Sequence, residues 1–320
     1  MTRVLVSGIA GFVASHIAEE LVNRGVEVVG IDNLSTGKMS NLDNIIDKID
    51  FNMWDIRERY ACEKACKGVD VVCHQAALPS VPRSIKAPEV TNESNVSGTV
   101  NLLKAAVDNK VKRFTYAGSS SAYGDTPILP KVETMNPNPK SPYAVSKLAG
   151  ELYLKAFAKS YGLDCITLRY FNVLGSRQRF DSPYAGVVPK FMYAALKGEE
   201  AIINGDGFAS RDFTNIKNVV DANIKAIFSE KSFSGETVNI ACGKRTTIND
   251  LLDMISKIHG SQIEVRNVPD REGDVKHSLA DISQARALLG YEPKWSLEDA
   301  LKDCYEFYKK EVDASGNSSN

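Results

Sequence analysis

The sequence predicts an α/β protein: a Rossmann-type, doubly wound parallel sheet followed by a smaller C-terminal substrate-binding lobe. Strand-like and helical segments alternate through the first half of the chain, a glycine-rich turn joins the first strand to the first helix, and the regularity breaks at Tyr170. Such alternation is typical of parallel strands connected by helices. The 320 residues, 43% of them hydrophobic, suffice for a large core and two lobes.

The first elements have the clearest pattern. Thr2–Val6 is apolar and β-branched, which predicts a buried strand, and a helical pattern covers Ser15–Asn23. Val26–Ile31 predicts a second strand, and Asp32 follows it directly. The turn Gly8–Ala14 lies between the first strand and the helix, in the order strand, glycine turn, helix, strand, acid that predicts a dinucleotide site.

The glycine turn predicts a cofactor with a pyrophosphate. Gly8 and Gly11 allow the backbone to approach a pyrophosphate at the helix N-terminus, where amide groups are unpaired. Ala14 stands where a third glycine is usual. Asp32 is placed to accept hydrogen bonds from ribose hydroxyls and would repel a 2′-phosphate, so we expect NAD rather than NADP. A βαβ unit without a ligand is the alternative interpretation.

The remaining elements divide the chain into two parts. Further strands are predicted at Val69–His74, Val111–Ala117 and Cys165–Arg169, and helices at Glu93–Asn109, Tyr143–Tyr161, Lys190–Gly198 and Ile248–His259. We expect residues 1–169 to form the NAD-binding domain, with 212–241 as a candidate to return to it through a strand at Thr237–Ile240. Residues 170–211 and 242–312 form the predicted substrate-binding lobe, and 313–320 a disordered tail.

Composition excludes several classes of partner. The net charge is −1 and no basic stripe is visible, so we expect no nucleic acid. No apolar run reaches the ~18–20 residues that span a bilayer, and the chain enters a strand at once without a signal peptide, so we expect no membrane association. The six cysteines lack zinc spacing, which predicts no metal site, reduced thiols and a cytoplasmic location.

Tyr143 and Lys147 are the strongest catalytic candidates. Ser141 predicts a helix N-cap and Pro142 the first helical residue, which places the tyrosine and the lysine four apart on one helix face. A tyrosine that acts as a base near pH 7 needs its pKa lowered at a cost of about 4 kcal/mol. One ammonium at about 4 Å supplies energy of that order. In the alternative, the spacing is accidental, the tyrosine packs and the lysine is solvated.

With these motifs placed, the chain resembles the extended short-chain dehydrogenase/reductase family, specifically its nucleotide-sugar 4-epimerases. Ala14, and Pro79 before Ser80, are small departures from the family pattern. The likeness covers nearly the whole chain and rests on Gly8-Ile9-Ala10-Gly11-Phe12-Val13, Asp32-Asn33-Leu34-Ser35-Thr36-Gly37, His74-Gln75-Ala76-Ala77, Ser119-Ser120-Ser121-Ala122-Tyr123-Gly124, Tyr143-x-x-x-Lys147, Arg169-Tyr170-Phe171-Asn172-Val173, Arg271-Glu272-Gly273-Asp274 and Ala280-Asp281.

The resemblance implies C4 epimerisation of a UDP-sugar through a transient 4-keto sugar. Tyr143 is the implied base and acid, Lys147 lowers its pKa and bonds the nicotinamide ribose, and Ser119 bonds the C4 oxygen. From the turn, the acid and these motifs together, the expected NAD-binding residues are Gly8, Gly11, Phe12, Val13, Asp32, Asn33, Ser35, Thr36, Gly37, Asp55, Ile56, Ala76, Ala77, Tyr143 and Lys147.

A second implied set binds the substrate. In the resembling enzymes the position of Ser278 controls size, and a small residue there admits N-acetyl groups. We therefore expect UDP-GlcNAc/UDP-GalNAc, together with UDP-Glc/UDP-Gal. The expected substrate-binding residues are Ser80, Ser121, Asn172, Val187, Arg211, Arg271, Asp274 and Ser278.

Several alternatives stay open. UDP-glucuronate is less favoured because no basic residue dedicated to its carboxylate stands out in the sequence. Dehydration is disfavoured because Ser120 and Ser121 stand where dehydratases have an Asp-Glu pair. A net NAD-dependent oxidoreductase of the same fold and a non-catalytic NAD-sensing protein are further alternatives. Members of the family commonly dimerise, so we expect a homodimer that pairs the Tyr143 helix with Val96–Asn109.

Overall fold

The computed structural model describes residues 2–180, 186–269 and 276–316. The strands are β1 (Arg3–Ser7), β2 (Glu27–Ile31), β3 (Asp50–Asn52), β4 (Val71–His74), β5 (Arg113–Ser119), β6 (Asp164–Tyr170), β7 (Val173–Leu174), β8 (Ala201–Asn204), β9 (Ser210–Arg211), β10 (Thr214–Asn215), β11 (Ser234–Ile240), β12 (Thr246–Thr247) and β13 (Val265–Val268).

The helices are α1 (Phe12–Asn23), α2 (Arg59–Ala65), α3 (Val81–Lys86), α4 (Pro88–Asn92), α5 (Gly98–Asp108), α6 (Pro142–Tyr161), α7 (Val187–Lys197), α8 (Ile216–Ile227), α9 (Ile248–His259), α10 (Ser283–Leu289) and α11 (Leu297–Gly316). The predicted helix at Glu93–Asn109 is a π-helical turn, Glu93–Ser97, that continues into α5. Helices α1 and α7 each begin three residues earlier than predicted, at Phe12 and Val187.

A seven-stranded sheet, parallel throughout, organises the part of the chain that the structure describes. Its strand order is β11-β6-β5-β4-β1-β2-β3. The chain runs outward from β1 to β3 and then restarts at β4 on the other side of β1. Such a reversal opens a crevice at the carboxyl ends of the two central strands. The strand from 234 to 240 pairs with β6 in this sheet, whereas the division into two domains stays a prediction.

Helices cover both faces of the sheet. On one face, α2, α5 and α6 pack their apolar side chains against β4 and β5, with Phe114 and Leu154 fully buried. On the other face, α1 and α8 cover Val6 of β1, and Leu21 of α1 is fully buried there. Burial of these aliphatic and aromatic side chains contributes roughly 1.5–3 kcal/mol each. A separate apolar cluster joins α7, α9 and α11 around Phe191.

The six cysteines form no disulfide, and five of them are buried. None of the described helices combines the length and apolar character needed to cross a membrane. The described residues also contain no group of three or more histidine, cysteine, aspartate or glutamate side chains placed to hold a metal ion.

Candidate active site

A cleft of about 550 Å³ opens at the carboxyl ends of β1 and β4, the neighbouring strands at which the strand order reverses. The glycine turn forms one wall, and the start of α6 forms another. Most of the residues predicted from the sequence to bind the cofactor or the substrate line this cleft. They are Gly8, Gly11, Phe12, Val13, Asp32, Asn33, Ser35, Thr36, Ile56, Ala76, Ala77, Ser80, Ser119, Tyr143, Lys147 and Asn172.

The glycine turn packs closely against the segment that follows β4, and this approach requires glycine at position 8. Gly8 has a φ of 69°, and a Cβ there would lie 2.7 Å from the Cα of Ala76. Gly11 precedes α1 and provides no side-chain cap, so the first amide groups of this helix keep their hydrogen-bonding capacity. This arrangement fits the pyrophosphate of a dinucleotide, which the helix dipole also favours.

Asp32 is the carboxylate at the end of β2. Its Oδ2 accepts from the amide of Ala10 at 3.0 Å, and its Oδ1 accepts from the amide of Leu34 at 2.7 Å. Burial raises the pKa of this carboxyl above its usual range. A Cβ on Gly37 would lie 3.0 Å from Oδ2, so the following loop returns close to the acid. The acid faces the cleft, where it fits ribose hydroxyls.

Asp55 lies beside the cleft lining, next to Ile56. Its Oδ2 accepts from Nδ2 of Asn33 at 2.8 Å, and Arg57 donates to both carboxylate oxygens. These contacts and the charge of Arg57 hold the pKa of Asp55 below its usual value. The carboxylate thus orients Asn33, which does line the cleft.

His74 locks the ends of β1 and β4 together. Its Nε2 is 2.9 Å from Oγ1 of Thr99, which donates its own proton to the carbonyl of Asn95. Nε2 is therefore the protonated nitrogen, and Nδ1 accepts from Oγ of Ser7 at 2.7 Å. The same Ser7 oxygen accepts from the amide of Ala76, opposite the glycine turn. Burial lowers the pKa of His74 to about 3, so it stays neutral.

Tyr143 occupies the first turn of α6. Oγ of Ser141 accepts from the amide of Ala144 at 3.2 Å, and Pro142 is the first helical residue, as predicted from the sequence. The phenol lines the cleft beside Ser119. Burial raises the pKa of Tyr143 above its usual value, and the hydrogen bond from Ser119 opposes this change.

Lys147 is buried one helical turn after Tyr143. Its Nζ donates to the carbonyl of Ala117 at 2.9 Å and lies 5.0 Å from the ring centre of Tyr116. Burial lowers the pKa of this lysine to about 8, while the nearby carboxylate of Glu151 opposes the change. The expected effect of Lys147 on the pKa of Tyr143 stays a prediction.

A buried ion pair between Arg169 and Glu151 lies close to Lys147. Arg169 donates to Glu151 through Nε at 2.9 Å and Nη2 at 2.6 Å, and both side chains are at most 3% exposed. A Cβ on Gly118 would lie 3.0 Å from Oε1 of Glu151, so the pair lies directly beneath the end of β5. The end of β5, which carries Ser119, therefore packs against this buried ion pair.

Ser121 orients Ser119 instead of lining the cleft. Oγ of Ser121 donates to Oγ of Ser119 at 2.8 Å, and the amide of Ser121 reaches the same oxygen at 3.2 Å. Because Ser119 accepts twice from this side, its own proton is left to donate toward the cleft and Tyr143. The role of Ser121 as a substrate contact stays a prediction.

Asn172 and Ser278 lie together on the second side of the cleft. Asn172 lines the cleft with a φ of 33°, and its Nδ2 donates to the carbonyl of Asp212 at 3.0 Å and to Oγ of Ser278 at 3.1 Å. Ser278 is thus placed directly behind Asn172, outside the lining itself. The carboxylate of Asp212 accepts from the amides of Cys242, Gly243 and Ala280, so one acid ties these segments together.

Two further residues that were expected to bind the substrate, Val187 and Arg211, do not line the cleft. Val187 begins α7, next to Gly186, which lines the cleft. Arg211 donates through Nη1 to the carbonyls of Ser210 and Lys276 and is not part of the lining. Arg271 and Asp274 lie outside the described residues.

Sequence reasoning missed several residues that line the cleft: Gln75, Arg83, Ser94, Tyr170, Arg177 and Arg179. Gln75 and Tyr170 lie within motifs noted in the sequence and bond to each other, with the Tyr170 hydroxyl 3.1 Å from Oε1 of Gln75. Arg83 follows Ser80 by three residues, and that helical spacing was the available signal for it.

A model of the NAD dependent epimerase/dehydratase family matches residues 4–241. The chain belongs to this family. The UDP-glucose 4-epimerase of Mycolicibacterium smegmatis is 36% identical over 313 residues, covering 96% of this chain and 98% of the relative. The fold class, the NAD cofactor and an isomerase of the nucleotide-sugar epimerase type, all expected from the sequence, are confirmed.

Two solved structures extend the comparison. The UDP-N-acetylglucosamine 4-epimerase of Methanobrevibacter ruminantium, in complex with UDP-N-acetylmuramic acid, is 41% identical with a TM-score of 0.93, covering 97% of this chain and 99% of that one. The UDP-glucuronic acid 4-epimerase of Bacillus cereus, in complex with UDP-glucuronic acid and NAD, is 33% identical with a TM-score of 0.90, covering 97% and 99%.

The buried lysine predicts a measurable pH dependence of stability. The pKa of Lys147 is about 8 in the folded chain and near 10.4 when unfolded. Between these values the unfolded chain binds more protons, so stability from this group rises with pH. From pH 7.5 to 9.5, the unfolding free energy of the wild type should gain about 1–2 kcal/mol relative to Lys147→Met. Urea titrations measure this, and parallel curves would contradict it.

Proposed function

We propose that this protein interconverts the C4 epimers of a UDP-sugar through a transient 4-keto sugar. The proposed substrate pairs are UDP-GlcNAc/UDP-GalNAc and UDP-Glc/UDP-Gal. One observation carries the proposal: Tyr143, Ser119 and Lys147 meet in a single cleft whose opposite wall is the glycine turn. A base, a hydroxyl donor and a buried cation beside a dinucleotide site are the parts that oxidation of a carbinol needs.

The side chains of the cleft have separate roles in this proposal. Tyr143 takes the proton of the C4 hydroxyl on its phenolic oxygen and returns it after the sugar has turned. Ser119, oriented by Ser121, donates its hydrogen bond to the C4 oxygen. Lys147 holds a positive charge within one helical turn of the phenol. The glycine turn and Asp32 would hold NAD, which would supply a hydride acceptor and a positive charge.

Burial affects the phenol in two opposite ways. It raises the pKa of Tyr143 above its usual value, because the charged phenolate is desolvated. The same burial strengthens its interaction with any added positive charge, because the effective dielectric is low. The positive charge of NAD would therefore lower the pKa of Tyr143 and favour its role as the base.

Replacement of the phenol tests the proposal directly. Tyr143→Phe should lower kcat by about 10²–10⁴-fold, the usual contribution of general acid–base catalysis, while NAD binding persists. Conversion of each UDP-sugar is followed by NMR, which resolves the C4 epimers. Tyr161→Phe removes an exposed hydroxyl from the same helix and serves as the control. Unchanged conversion by Tyr143→Phe would refute the role of Tyr143, whereas a wild type that binds NAD without converting any UDP-sugar would support a non-catalytic NAD-sensing protein.

Substrate size is proposed to depend on Ser278 through Asn172. The serine hydroxyl accepts from the Asn172 amide, so a larger side chain at 278 would push Asn172 into the cleft. Ser278→Tyr should therefore lose activity on UDP-GlcNAc at least tenfold more than activity on UDP-glucose, while Ser278→Ala should keep the ratio. Competing-substrate assays measure this ratio. If both activities fall equally, the proposed gate is wrong.

Two alternatives keep specific tests. UDP-glucuronate 4-epimerase activity is supported by the relative from Bacillus cereus and is assayed by the same NMR experiment with that sugar. A net oxidoreductase would change the absorbance at 340 nm during turnover, whereas an epimerase regenerates its cofactor.

We also propose a cytoplasmic location, which the six free cysteines support.

We further propose a homodimer built on α6 and α5. Val145, Leu152 and Tyr153 share the outer face of α6 and are 40–55% exposed. An apolar helix face of this kind is typical of a subunit interface. Leu152→Glu should convert the dimer to monomer in analytical ultracentrifugation, whereas Ile202→Glu, at an exposed apolar position on β8, should not. A monomeric wild type would refute the dimer.

A further inference from the structure

Arg83 is a cleft residue whose charge has no counterpart among the residues that the structure describes. It lies on α3, one turn after Ser80, whose hydroxyl accepts from the Arg83 amide at 3.1 Å. The side chain is half-buried and lines the cleft together with Ser80 and Ser94. Within the described ranges, no carboxylate or carbonyl lies within hydrogen-bonding or ion-pair distance of its guanidinium.

Other charged side chains of the same cleft are satisfied by the protein. Asp32, the acid in the described lining, accepts from two backbone amides. Lys147 donates to a carbonyl, and Arg177 is paired with Glu19. Arg83 therefore differs from them, because its guanidinium has N–H donors that no acceptor in the described chain receives.

A half-buried guanidinium without a partner has lost hydration and gained no hydrogen bonds in return. Its planar fork matches two oxygens of one carboxylate or phosphate, and such charge-assisted bonds are stronger than neutral ones. Since the proposed ligands of the cleft are nucleotides, a bound nucleotide would supply the oxygens that accept hydrogen bonds from Arg83.

We propose that Arg83 binds an oxyanion of a nucleotide ligand, either a carboxylate on the sugar or a phosphate. The inference rests on the proposed function for the identity of the ligands. If the oxyanion is a sugar carboxylate, the substrates include UDP-uronic acids, and the sequence-based argument against UDP-glucuronate no longer holds. That argument assumed that no basic residue is available for the carboxylate, whereas Arg83 is placed in the cleft.

Binding measurements distinguish the two sources. UDP-glucuronate and UDP-glucose differ only in the carboxylate, so their dissociation constants are compared by calorimetry in the NAD-loaded protein, and that of NAD is measured separately. The variants are Arg83→Met, which keeps the apolar stem, and Arg83→Lys, which keeps the charge without the fork. Lys86→Met removes an exposed charge from the same helix outside the cleft lining and serves as the control.

The expected loss in Arg83→Met is about 10- to 100-fold for the ligand that carries the oxyanion. A loss confined to UDP-glucuronate assigns the sugar carboxylate. An equal loss for both sugars assigns the substrate diphosphate, and a loss confined to NAD assigns the cofactor phosphates. Arg83→Lys should retain part of the affinity in each case.

All dissociation constants within twofold of the wild type would overturn the proposal. The outcome is separable from that of the proposed function, because binding is measured without turnover. A wild type that binds UDP-sugars but produces no C4 epimer would refute the epimerase while leaving the role of Arg83 open to the same titrations.

Discussion

Lys147 is an ammonium buried where the first turns of α6 meet the end of β5, and the site depends on how its charge is held. The carbonyl of Ala117 accepts a hydrogen bond from the lysine Nζ, and the ring of Tyr116 lies against the same ammonium. Glu151 lies one turn further along the helix. Because the carboxylate is already committed to Arg169, it offsets part of the desolvation without neutralising the lysine. The lysine keeps a charge that responds to what enters the cleft.

The fold and the cofactor half of the site could be predicted because short-range patterns determine them. The glycine turn, Asp32 and the Tyr143-Lys147 spacing each report a local backbone requirement, and parallel topology then brings the strand ends together. Helix α1 begins at Phe12, three residues before its predicted start, because Gly11 precedes the helix without the side-chain cap that marks a helix start in a sequence. Such details depend on tertiary contacts that a single sequence does not reveal.

The substrate half was less predictable for a physical reason. Its side chains come from segments far apart in sequence, which meet only because Asp212 gathers their amides. The sequence therefore suggested Ser278 as a lining residue, whereas the structure places it behind Asn172. Arg83 was missed for the opposite reason: a single arginine on a short helix looks like a solvated surface charge until the cleft around it is seen.

The loop that follows β2 has a consequence for attempts to redesign the enzyme. Asp32 faces the cleft, yet both of its oxygens are also engaged by the backbone of Ala10 and Leu34. Leu34 is held at a φ of 57°, a conformation that a leucine adopts only under constraint. Exchanging this acid to accept a phosphorylated ribose would release the strained leucine and the glycine turn together. A switch of coenzyme therefore calls for a new loop as well as a new side chain.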